Sequence, residues 1–135
     1  ENTGGKVQLR NTSKLCKDIN LGKYVSRSQI EGQIKITLAG EVAVGLFECD
    51  SHWDHSESDI QACLSLAGSK CGDHEEAFAY INWLLLNVRN ELSFPGNWAC
   101  VIAVAEALLK QKTLSYHKAR EIMKIAQQKI NSQIL

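Results

Sequence analysis

Aliphatic residues stand at every fourth position from Ile30 through Ile34, Leu38 and Val42 to Leu46. Positions four apart share one face of an α-helix, so this ladder dictates a helix of roughly 20 residues, about 30 Å long, with one side buried. Its start is marked as well. Ser26 and Gln29 have the spacing of a capping box, in which each side chain satisfies a backbone N–H near the other. Gly32, Gly40 and Gly45 fall inside the ladder and each weakens it by roughly 1 kcal/mol. Their presence predicts close helix packing along this element.

The rest of the chain is punctuated in the same way. "ECDSHWDHSES" breaks the period and reads as a loop, after which Ser56 or Ser58 caps a second helix with Ile60, Cys63, Leu64 and Ala67 on its apolar face. "GSKCGD" ends that helix at Gly72. A third helix runs over 74–92, carrying Phe78, Ile81, Trp83, Leu84, Leu85 and Val88, until Pro95 and Gly96 stop it. Asn97 is expected to cap a strongly apolar fourth helix over 98–110, and Ser115 a fifth with Ala119, Ile122, Met123, Ala126 and Ile130 inward. Ala105, on the fourth, is expected to be buried, so that an aspartate there would cost several kcal/mol. Residues 1–25 are rich in Gly, Asn, Lys and Ser, and the alternation over 6–10 predicts a short strand or hairpin edge with little helix. The expected fold is mainly α: a single domain over 1–135, a compact bundle of about five helices across 26–135 with a short N-terminal β element.

Composition removes several functions. Fifteen basic and fifteen acidic side chains cancel, which leaves nucleic-acid binding without its electrostatic footprint. The longest apolar runs, 81–86 and 99–105, fall far short of the roughly 20 residues a bilayer needs. The polar start "ENTGGKVQLRN" does not resemble a signal peptide, so any membrane association is expected through other segments or another chain. Cys16, Cys49, Cys63, Cys71 and Cys100 are odd in number and form no CxxC pair. They read as reduced thiols of a reducing compartment, with spacing unsuited to cysteine-based zinc. The absence of GxGxxG, Walker, GxSxG and HExxH patterns argues against dinucleotide binding, NTP hydrolysis by this segment, the usual serine hydrolase and a self-contained zincin.

Chemistry-bearing side chains cluster in one place: His52, Asp54, His55, Glu57 and Asp59. Two histidines and a carboxylate are chemically sufficient for zinc or non-haem iron, making His52, His55 and Asp59 one candidate metal site. A solvated loop is the alternative for the histidines. For Asp59 the alternative is the first turn of the next helix, where a carboxylate accepts free N–H groups and meets the positive end of the dipole. His74 and His117 read as surface residues near helix starts, Trp53, Trp83 and Trp98 as packing residues, and Glu106 as a solvent-facing or salt-bridged charge.

Three segments in order then change the weights. "GGKVQL" followed by "VSRSQIEGQIKITLAGEVAVGL" resembles the short strand and long helix, ending in an "LxGRxAEEL" pattern, of the FtsH family of membrane-anchored, ATP-dependent zinc metalloproteases. "SESDIQACLSLAG" is similar to that family's "GAxxDLxxATxxA" helix, and "VIAVAEALLKQKTLSYHKAREI" to its "LxxLAEALLExETLxxxEL" segment. Order and separations agree, and the resemblance covers nearly the whole chain.

The resemblance implies a peptidase-domain fold, a hexameric membrane-bound parent, and unfolded or membrane proteins as substrates. It also implies zinc held by two histidines of an HExxH helix and by one aspartate, whose matching position here is Asp59. Such a set leaves one coordination position open for a water, whose proton passes to the HExxH glutamate. HExxH would lie upstream of "GGKVQL" and is not in these residues, nor are the ATPase module and membrane segments. Glu41 and Val44 also stand where the family's "GRxAEE" has a basic and an acidic residue. No catalytic residue is therefore assigned within the chain, which as it stands is expected to be proteolytically inert. Its reading is a divergent FtsH-like peptidase domain or the C-terminal part of one. The rival is a non-catalytic, peptidase-like scaffold that assembles with relatives or another partner.

Overall fold

A computed structural model describes residues 10–49 and 57–134. Among them lie six α-helices and no strand: α1 (Arg10–Asn20), α2 (Arg27–Glu48), α3 (Glu57–Gly68), α4 (His74–Ser93), α5 (Pro95–Gln111) and α6 (Tyr116–Ile134). The mainly α expectation is met. The short strand expected over 6–10 lies outside the described residues apart from Arg10, which is helical.

α1 corrects the expectation of little helix before residue 26. Its polar start, Asn11 to Ser13, has weak helix propensity, but Leu15, Cys16 and Ile19 form an apolar stripe that packs against the core. Gly22 closes it with φ of +74°, while the Gly22 N–H donates to the Ile19 carbonyl and the Lys23 N–H to that of Asp18. This is a Schellman ending, for which glycine is suited because it adopts positive φ without a Cβ clash.

α2 begins as its sequence dictates. The Gln29 N–H donates to Ser26 Oγ at 3.2 Å, and the Ser26 N–H to Gln29 Oε1 at 3.1 Å. Ile30, Ile34, Leu38 and Val42 are all fully buried, whereas Ile36 turns outward. The glycine expectation is corrected at two positions: a Cβ built on Gly32 or Gly40 meets no atom within 4 Å, so neither marks a tight helix crossing.

The later boundaries follow from caps. α3 stops at Gly68, before the expected Gly72, because Ser69 and Lys70 turn the chain by donating to the Leu66 and Ala67 carbonyls. α4 starts with a reciprocal pair, the Glu76 N–H on Asp73 Oδ1 at 2.8 Å and the Gly72 N–H on Glu76 Oε2 at 3.3 Å. α5 begins one turn earlier than expected: Pro95 occupies its first position after an extended Phe94, and no side chain caps it. Asn97 is inside the helix and donates from Nδ2 to the Glu91 carbonyl, because proline's fixed φ already suits the first helical residue. Ser115 caps α6 as expected, accepting from the Lys118 N–H at 3.1 Å.

The chain divides into two compact units, residues 1–40 with 54–85 and residues 41–53 with 86–135. In the first, Ile30, Ile34 and Leu38 of α2 share a core with Cys63, Leu66 and Ala67 of α3 and Ala77, Ile81 and Leu84 of α4. The Tyr80 hydroxyl donates to Glu31 Oε1 at 2.6 Å and the Arg27 guanidinium lies over the Tyr80 ring, tying α2 to α4. In the second unit α5 packs along α6, and the Cys100 thiol donates to the Met123 carbonyl at 3.4 Å. Ala105 is exposed there, which overturns its expected burial: α5 is apolar on nearly every side, so periodicity does not reveal which side faces inward.

Candidate metal centre

Asp59 stands in the first turn of α3, on the third helical residue after Glu57 and Ser58. It is half-buried, at the end of the helix where backbone N–H groups have no intrahelical partner. Cys63 lies one turn on and is fully buried in the core of the first unit. Burial, and secondarily the Asp59 carboxylate, pushes the Cys63 thiol up to about 11, so it is a protonated packing group and not a thiolate ligand at neutral pH.

The other two members of the sequence-level metal candidate, His52 and His55, lie outside the described residues, as does Trp53. Among the described residues no three His, Cys, Asp or Glu side chains are grouped to hold a metal ion. Zinc asks for at least three protein ligands, so the described donors do not make a zinc site, and Asp59 contributes one carboxylate toward such a set. His74 and His117 sit exposed in the first turns of α4 and α6. Glu106 is exposed on α5, consistent with its solvent-facing reading. Trp83 is 55% exposed and stacks on Tyr80, so it is not a core residue.

Sequence reasoning did not foresee the clefts. An apolar groove of about 680 Å³ runs along α5 and α6 in the second unit, lined by Trp98, Ile102, Ile122, Ile125 and Ile130. On the first unit a cleft of about 380 Å³ lies between α1 and α2, with Gln33 in its wall. Gln33 follows a glycine inside an apolar ladder, and that polar intrusion is the one signal the sequence offered. No helix among the described residues is long and apolar enough to cross a membrane. α4 and α5 together meet that test only as a pair bent by 83°.

Comparison with models of known families, with curated proteins and with solved structures finds no match in any of the three.

Proposed function

We propose that this chain is the helical, C-terminal part of an FtsH-like zinc peptidase domain, with Asp59 the carboxylate it contributes to the metal. The observation supporting this is the placement of Asp59 in the first turn of α3, where the family resemblance puts its ligating aspartate. The other resembling segments fall on α2 and on the α5–turn–α6 stretch. Within this part the packing of Cys63, Leu66 and Ala67 in the core holds the α3 backbone that carries Asp59. Binding sites built on helices are positioned more precisely than those on loops. The histidine ligands and the general base belong to HExxH, so no hydrolytic step is assigned to the residues described.

The test uses the complete polypeptide as its source cell makes it. Bound zinc near one equivalent, casein cleavage blocked by a chelator, and loss of both in Asp59→Asn with an unchanged helical spectrum are the expected results. Full zinc retention in Asp59→Asn reduces Asp59 to a helix cap.

A second reading is a non-catalytic scaffold, favoured by the apolar groove along α5 and α6. Groove-bearing helical pairs are common protein-docking surfaces. Under this reading the complete polypeptide binds no zinc, cleaves no casein and elutes as a stable oligomer.

A further inference from the structure

α5 is apolar on nearly every side, yet Cys100 is its one buried residue, and Ala126 is the one buried residue of α6 among those described. A helix apolar all round belongs in an interior. The groove along this helix pair instead leaves its floor to solvent: Ile125 is 53% exposed, and Trp98, Ile102 and Ile122 are only partly buried. Two charges stand in the same groove, Glu106 from α5 and Lys129 from α6. Both are exposed, and neither makes an ion pair with a described residue. α5 and α6 pack side by side and are joined by the turn over 112–115, so they run antiparallel. At about 1.5 Å per residue, Glu106 lies about 8 Å and Lys129 about 20 Å from that turn. They are too far apart in height to pair within one copy. Ile102 and Ile125 both lie about 14 Å from the turn, midway between the two charges.

From this arrangement we propose that the groove is the interface of a two-fold dimer of this chain, in which the α5–α6 pairs of two copies pack face to face. A two-fold axis across the helices at Ile102 and Ile125 exchanges the heights on either side of it. It brings Glu106 of each copy level with Lys129 of the other, twice, and sets the central isoleucines against their own symmetry mates. An acid and a base spaced evenly about an apolar centre are matched by a surface carrying the same pattern reversed, and a second copy supplies that surface. Two helices each about 10 Å wide and about 26 Å long offer roughly 500 Å² per copy, the lower bound for a specific pair, so the dimer is expected to be micromolar and to exchange freely. The proposal deepens the scaffold reading, which rests on the same groove. Zinc and casein decide that reading, whereas the dimer is decided by contact between copies alone.

The experiment mixes unlabelled and 15N-labelled complete polypeptide, joins touching carboxylates and amines with a carbodiimide, and reads the linked peptides by mass spectrometry. A Glu106–Lys129 link with one labelled and one unlabelled half is expected. A mixture of the Glu106→Lys and Lys129→Glu variants should give the same joint between one variant and the other, with acid and base exchanged. Ile125→Arg places two like charges at the axis, and it should lower the mixed-label yield by at least about tenfold while the helical spectrum persists, since Ile125 is exposed in the single copy. Four outcomes overturn the proposal: no mixed-label link, no link between the two charge variants, a yield unchanged by Ile125→Arg, or links from Glu106 and Lys129 only to other segments of their own copy. The last would give the groove to those segments.

Discussion

The Tyr80 hydroxyl reaches Glu31 across a sequence separation of 49, with the Arg27 guanidinium 5.3 Å from the ring centroid. Burial, then the hydrogen bond to Glu31 and its negative charge, hold the phenol above its ordinary range near 10. A proton held more tightly in the folded state stabilises the fold below pH 10, where both states keep it. That contribution fades as pH rises above 10, where the unfolded chain releases its proton first. Tyr80→Phe should therefore flatten the alkaline fall of stability in urea titrations above pH 10, and lower stability at pH 7 by about 1 kcal/mol. An identical alkaline limb in the variant would mean the clasp is not formed. This contact was not legible in the sequence, because its partners are far apart and each looks like an ordinary surface residue. Asp59 was legible only as a choice between cap and ligand: one carboxylate at a helix start satisfies both descriptions until other ligands are placed.

At the scale of the element, the legible features were those completed within four residues. The Ser26–Gln29 box and the Ser115 cap could be read directly, since donor and acceptor lie on the same turn. α1 was not, because its stability derives from Leu15, Cys16 and Ile19 meeting a core built by later helices. The Gly40 site shows the limit of reading a glycine as a packing device. With nothing within 4 Å of its Cβ position, Gly40→Ala should stabilise the protein by about 0.5–1 kcal/mol, seen as a higher urea midpoint. A lower midpoint would reveal a neighbour pressed against α2 there. Ala105 leads to a similar correction: because it is exposed on α5, Ala105→Asp should cost no more than about 1 kcal/mol, mostly as lost helix propensity. A loss of several kcal/mol would place that face inside.

Across the whole molecule, the core of the first unit draws on all of α1 to α4, with Leu84 fully buried among residues of α2 and α3. Leu84→Ala should cost about 2–5 kcal/mol in equilibrium unfolding, through lost burial and the cavity left behind. A cost below about 1 kcal/mol would show that α4 does not carry that core. Helical class was legible at this scale from periodicity alone. The junction at Phe94 carries a further implication. Phe94 is extended because the ring of Pro95 excludes helical geometry from the residue before it, and that one peptide unit keeps α4 and α5 from merging. Fused, they would make a continuous rod of roughly 38 residues, about 57 Å from end to end. The residue type at position 95 therefore decides whether residues 74–111 form two helices or one unbroken rod.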